Sequence, residues 1–303
     1  MANPDVLTNF TTYLLTEKRV SHNTFLAYQQ DLKQLEKFLR DNNKTWEMAT
    51  KIDLVSFLKS CKNEGSGAKT LSRKISTFKL LWGFLEERYH LDDITKTVTF
   101  PKTDKTLPKY LSEVEVQQLL RETNNDTTDK GVRNKVMLYL LYATGLRVSE
   151  LVELTIDAIL FDAGFIKVHG KGNKERMVPV PKNILELLRY YLDHVYKKLV
   201  PASLQQETKR YLFAVPYKHA LKPLSRQSLW GALKKVLQKA GINPNISPHS
   251  LRHSLATHLL NNGADLRSLQ MLLGHQNLST LQVYTHIGKR ELRIVYDKKH
   301  PRA

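Results

Sequence analysis

Five short segments carry side chains able to hold and attack a phosphate. The segment Ser247-Pro-His-Ser-Leu-Arg-His253 reads as a helix start: Ser247 suits the N-cap and Pro248 the first helical position. His249 and Arg252 are three apart and share one face. Leu251, Leu255 and Leu259 point to another side, which the pattern buries. The first turn of a helix offers free N–H groups and the positive end of its dipole. An imidazole, a guanidinium and that helix end can then converge on one phosphate. His249 and His253 also have metal-ligand spacing, but Ser250 stands where a zincin pattern needs glutamate. The other four places are Arg147 in Ala143-Thr-Gly-Leu-Arg-Val-Ser-Glu150, Lys171 in a glycine-rich turn, His275 after Leu273-Gly, and Tyr284. Arg252 alone can be a surface arginine, and His275 alone a neighbour of a helix C-cap. Nothing in spacing selects Tyr284 among the 13 tyrosines.

These residues need elements to position them. Lys171 falls between two β-prone runs, Phe165-Ile-Lys-Val-His169 and Arg176-Met-Val-Pro-Val180, so the spacing predicts a hairpin with Lys171 at its tip. Lys174 and Arg176 beside it read as phosphate-backbone contacts or as a solvated turn. Ser279 to His286 reads as a short capped helix. Upstream, apolar residues recur at helical spacing over Asn23–Leu39 and Thr70–Leu85. The second helix carries Lys69, Arg73, Lys74 and Lys79 on its polar face. Residues 97–110 hold Pro101 and Pro108 and no helical pattern, which marks a linker. A helix then starts at Ser112 and Glu115, which have capping-box spacing, with Leu111 and Val116 as the staple. The expected organisation is residues 1–96 as an N-terminal helical unit, 97–110 as linker, and 111–303 as the unit that holds the candidate chemistry.

Composition narrows the partner. The 303 residues hold 47 Lys+Arg against 29 Asp+Glu, a formal charge of +18. The first 105 residues contribute +4 and the remainder +14. Such a balance points to a polyanion, either nucleic acid or an anionic membrane surface. The apolar run Val136 to Leu146 is too short for a spanning helix. The N-terminus carries Asp5 and no basic segment of the signal-peptide kind. The lone Cys61 excludes an intrachain disulfide and a cysteine metal cluster, which suits a reduced, cytoplasmic compartment.

In order, these segments resemble the tyrosine recombinase, or phage integrase, family. The matching positions are Arg147, Lys171, His249, Arg252, His275 and Tyr284, spread over about 140 residues. Length and the ending His300-Pro-Arg-Ala303 are similar to the bacterial Xer branch. The Ser21, Thr24, Tyr28, Leu32 pattern resembles the family's core-binding domain. No arm-binding domain of the kind many phage integrases carry is expected before residue 1. The resemblance implies a mainly α fold in two domains: a SAM-like N-terminal bundle, and a mostly helical catalytic domain with a small β-sheet or hairpin.

The reaction so implied cuts and rejoins DNA through a covalent 3′-phosphotyrosyl link on Tyr284. A phenol with pKa about 10 is a poor nucleophile at neutral pH, so it needs a base and surrounding positive charge. Arg147 and Arg252 are the phosphate clamps, since a guanidinium grips two oxygens at once. His249 is the expected proton acceptor for Tyr284, and His275 a further phosphate contact. The departing 5′-oxygen is strongly basic, so it needs a general acid, which the resemblance assigns to Lys171. Glu150 supports this region by orienting it or pairing with a basic neighbour. No cofactor and no metal is expected. Lys69, Arg73 and Lys74, together with Lys174, Arg226, Gln227, Lys234 and Lys235, are the expected non-catalytic DNA contacts. The two domains would close on duplex DNA from opposite sides.

The resemblance further implies a ring of four subunits on two DNA duplexes, with the 288–297 segment docking on a neighbour. It raises a second Xer recombinase and an FtsK-like DNA translocase as partners. Chromosome dimer resolution at a dif-like site is the expected role. A transposon or plasmid integrase or resolvase has the same motifs. A DNA-binding regulator that keeps the fold without the reaction is the reading from another class. A type IB topoisomerase uses similar chemistry but lacks this full-length match.

Overall fold

The computed structural model describes residues 4–99, 110–170, 175–205, 209–273, 296 and 299–301. It divides into two units, Met1–Thr106 and Leu107–Ala303.

The first unit is four helices: α1 (Pro4–Thr16), α2 (His22–Asp41), α3 (Lys51–Asn63) and α4 (Ala68–Tyr89). Local chemistry sets their starts. The Ser21 hydroxyl caps α2, and Thr50 with Asp53 forms a reciprocal capping box on α3. The helices bury Phe10, Leu35, Leu54, Phe78, Leu81 and Leu85 around Trp82. Both sequence-predicted helices are present, each longer than its apolar pattern by a few residues. The difference lies at polar ends, where periodicity carries no signal.

The second unit opens with α5 (Glu113–Glu122), held by the capping box between Ser112 and Glu115. Leu111 and Val116 are both buried beside it. The α6 helix (Asp129–Thr144) runs through the core and buries Val136, Met137, Leu140 and Leu141 completely. After it come α7 (Val148–Val152) and an antiparallel three-stranded sheet: β1 (Ile159–Leu160), β2 (Phe165–His169) and β3 (Glu175–Pro179). The β2–β3 register pairs Phe165 with Pro179 and His169 with Glu175. A helical rod follows, made of α8 (Lys182–Tyr190), a π-helical turn (Tyr191–Tyr196) and α9 (Lys197–Leu199). A second hairpin of β4 (Ala214–Tyr217) and β5 (Ala220–Pro223) leads into α10 (Arg226–Lys239), α11 (Pro248–Asn261) and α12 (Leu266–Leu273).

The fold is therefore mainly α with small antiparallel sheets. Among the described residues, no helix is long and apolar enough to cross a membrane. The expected linker lies largely outside the described residues, as do the Ser279–His286 helix and most of the 288–297 segment. Within that last segment, Tyr296 is described. Its ring is buried in the second unit, and its hydroxyl donates to the Ala143 carbonyl at 2.6 Å.

Candidate active site

The junction after α6 sets the first cation. Gly145 ends the helix in the left-handed region at φ 59°, and its N–H closes on the Leu141 carbonyl at 3.0 Å. A side chain here would strain the backbone, and its Cβ would stand 2.9 Å from the Leu255 and Leu273 methyls. The tight turn seats Leu146 in the core and leaves Arg147 as N-cap of α7, with a third of its side chain exposed.

The second cation comes from α11. Ser247 caps it by accepting from the Ser250 N–H at 3.2 Å, and Pro248 occupies the first helical position. His249 is exposed in the first turn, and Arg252, one turn on, is 8% exposed. The Arg252 guanidinium reaches across to two carbonyls. Its Nη1 donates to Gly145 and its Nη2 to Leu273 at the end of α12. A cation suits that helix end, where carbonyls lack partners. His275, two residues beyond Leu273, is outside the described residues.

A third cation departs from its sequence expectation. Arg176 is neither a solvated turn residue nor a DNA-backbone contact; it is 5% exposed on β3. Its Nη1 and Nη2 donate to both oxygens of Glu150 at 2.8 Å, and its Nε to the Leu272 carbonyl at 3.3 Å. Strand alternation can place a residue on either face, so the hairpin pattern alone did not reveal its burial. Its signal lay in the position one residue along β3 from Glu175, turned toward α7.

Glu150 joins the set. It accepts from the Arg147 backbone N–H and side-chain Nη1, both at 2.8 Å, as well as from Arg176. Burial alone would raise its carboxyl; hydrogen bonds and charge from Arg176 and Arg147 outweigh burial and hold it at about 2. Arg252 is also shifted down, but for a guanidinium this works against the charged form. Burial lowers its guanidinium to about 10, and the like charges of Arg147 and Arg176 add to this. Three guanidiniums thus surround one carboxylate, a net charge of +2. Such a site attracts an anion, and guanidinium forks match the paired oxygens of carboxylates and phosphates alike.

Lys171 and Lys174 fall between β2 and β3, outside the described residues, as does Tyr284. On α10, Arg226, Gln227, Lys234 and Lys235 are all exposed. Trp230, one turn from both Arg226 and Lys234, is 53% exposed; the spacing of the sequence gives no signal for that exposure. In the first unit Lys69 is exposed and Arg73 half-buried. Lys74 is corrected: it is 2% exposed, paired with Asp31 and Gln34, and cannot serve as a surface DNA contact.

Comparison with known proteins bears on the family and the fold. Residues 109–291 match the profile of the phage integrase family, and residues 7–89 that of the phage integrase N-terminal SAM-like domain. The tyrosine recombinase XerD of Staphylococcus epidermidis is 40% identical over 305 residues, covering 98% of this chain and 99% of that protein. XerD of Oceanobacillus iheyensis is also 40% identical, over 97% of this chain and 98% of its own. Among solved structures, the Tn1549 transposon integrase in complex with circular intermediate DNA superposes with a TM-score of 0.71 at 17% identity, covering 97% and 94% of the two chains. XerH bound to its palindromic difH substrate gives 0.67 at 22%, covering 89% and 78%. With both units matched and full-length relatives at 40% identity, this chain belongs to the phage integrase family and is a tyrosine site-specific recombinase.

Proposed function

We propose that this chain cuts and rejoins duplex DNA through a 3′-phosphotyrosyl link, and that it does so as an Xer-type recombinase resolving chromosome dimers at a dif-like site. One observation carries the reading: Arg147, Arg176 and Arg252 gather around Glu150 with net charge +2, one turn from His249 at a helix N-terminus. Arg147 and Arg252 hold the scissile phosphate. As the pentavalent state forms, charge grows on its non-bridging oxygens, and donors already fixed in place lower the barrier. Arg176 and Glu150 hold Arg147 in position and do not touch substrate. Tyr284 attacks phosphorus, its proton passing to His249, while Lys171 protonates the departing 5′-oxygen. His275 makes a further phosphate contact; the Arg252–Leu273 bond, two residues away, supports that assignment. The new phosphotyrosyl ester keeps the energy of the phosphodiester, so a 5′-hydroxyl of a second strand reverses the step and reseals the DNA.

Lys69 and Arg73 on α4, Arg226, Lys234 and Lys235 on α10, and Lys174 in the hairpin turn contact the duplex. XerD-named relatives over the full length support the chromosomal role. XerH bound to its difH substrate supports binding of duplex DNA, and a lambda integrase dimer bound to a core site supports more than one subunit on DNA. A tetramer on two duplexes, a second Xer recombinase and an FtsK-like translocase complete the proposal.

Incubation with a nicked suicide duplex tests the chemistry. The wild type should form a covalent adduct that resists denaturation, and Tyr284→Phe should form none. An adduct retained by Tyr284→Phe would overturn the assignment of the nucleophile.

A further inference from the structure

The first unit buries a charge cluster that helix packing does not require. Asp31 of α2 is 0% exposed, yet its carboxylate takes three donors from α4. Lys74 Nζ lies at 3.3 Å, Thr77 Oγ1 at 3.0 Å, and Arg73 Nη1 completes the set. Lys74 is itself buried; it also donates to Gln34 Oε1 and lies 5.4 Å from the centre of the Phe57 ring. Burying opposite charges costs desolvation that rivals their attraction, and an apolar pair serves packing at least as well. The α2–α4 contact already has Leu32, Leu35, Leu71 and Phe78 for that purpose.

What the cluster does is fix Arg73. Both hydrogens of Nη1 are spent, one on Asp31 and one on the Ala27 carbonyl at 3.0 Å. The Nε and Nη2 hydrogens point along the other edge of the same plane and hold no partner among the described residues. The Arg73 side chain is 37% exposed. That edge is a fork matched to two acceptors side by side. Lys74 matters for the charge: Asp31 alone would cancel Arg73, whereas the trio keeps a net +1. A rotamer-rich side chain held in advance loses less entropy on binding.

We propose that Asp31 and Lys74 are positioning residues that hold Arg73 so that its Nε–Nη2 edge takes one pair of acceptors on duplex DNA. The pair is either two oxygens of one phosphate or O6 and N7 of one guanine. The proposal rests on the reading that this face of α4 meets DNA.

The test uses the full chain, a short randomised duplex pool, and one fluorescent duplex of the sequence that wild type selects from the pool. Arg73→Gln should weaken binding to the fluorescent duplex about tenfold, and Arg73→Lys should not restore it, because lysine has no fork. Unchanged binding in Arg73→Gln would overturn the underlying reading of this face. Asp31→Asn combined with Lys74→Met removes both buried charges together and leaves neither orphaned. With its melting temperature and circular dichroism recorded alongside, it should lose a similar factor, and add nothing in the Arg73→Gln background. Binding like wild type, or a loss additive to that of Arg73→Gln, overturns the positioning role while leaving Arg73 as a contact. Should the double variant not fold, Asp31→Glu keeps both charges and shifts the carboxylate by one methylene, and the same two outcomes decide. A phosphate partner shows as a uniform loss across the pool and a salt slope smaller by about one. A guanine partner shows as a lost preference at one position of the selected sequence.

Discussion

Glu150 is the residue on which the proposed phosphate site turns. It takes two hydrogen bonds from Arg176 and two from Arg147, and its charge faces Arg252 as well. Glu150→Gln keeps the shape and removes the charge, so three guanidiniums are left against one another. Removing one member of a buried ion pair costs about 3–5 kcal/mol, and we expect a loss in that range, with cleavage of the suicide duplex falling more than about a hundredfold. The pH dependence has a definite sign. The carboxyl is held at about 2 in the folded chain against an ordinary 4.5. On acidification the unfolded chain therefore takes up its proton first. The contribution of Glu150 is complete above about pH 5 and is lost as pH falls toward about 2; the shift is on the order of 3 kcal/mol. Thermal melts stepped through this window compare wild type with Glu150→Gln. The variant should lack that part of the acid slope, and parallel curves would reject the ion-pair account.

At the scale of elements, the site depends on where helices stop and start. Gly145 ends α6, hands its carbonyl to Arg252, and aims Arg147 from the next turn. Gly145→Ala puts a methyl into the left-handed region and 2.9 Å from two leucine methyls. The backbone term alone is roughly 1–2 kcal/mol. We expect a loss of about 2 kcal/mol in chemical unfolding, with a larger fractional loss of cleavage because both arginines move. A variant that loses stability but cleaves normally would separate the turn from the site. Elements of this kind were legible in the sequence because their causes are local. Ser247-Pro248 and Ser112 with Glu115 announce helix starts within four residues, and the β2–β3 hairpin announces itself by its flanking runs. The burial of Arg176 and Lys74 is not legible locally, because it is decided by carboxylates 26 and 43 residues away. The β4–β5 hairpin and the π-helical turn gave no period to read, since short strands and single turns offer too few residues.

At the scale of the whole molecule, one set of charges has two opposed effects. The chain carries +18, with +14 after residue 105, and only part of that excess sits in the proposed phosphate site. Without DNA these cations repel one another, and salt relieves the repulsion. With DNA they displace counterions, and salt then competes with binding. The free protein should therefore melt at the same or a higher temperature as sodium chloride rises from about 50 to 200 mM, while affinity for duplex falls at least about a hundredfold. Fluorescence anisotropy and a thermal melt on the same samples measure both. The slope of log affinity against log salt counts the phosphates neutralised, so it also apportions the grip. Lys234→Gln and Lys235→Gln on the exposed face of α10 should each lower that slope by about one without changing the melt. Arg252→Gln should lower affinity and also disturb the melt, because its guanidinium ties Gly145 to Leu273 inside the unit. If affinity proved insensitive to salt, the +14 would have to be assigned to something other than DNA, and the phosphate site would be left without the surface that delivers its substrate.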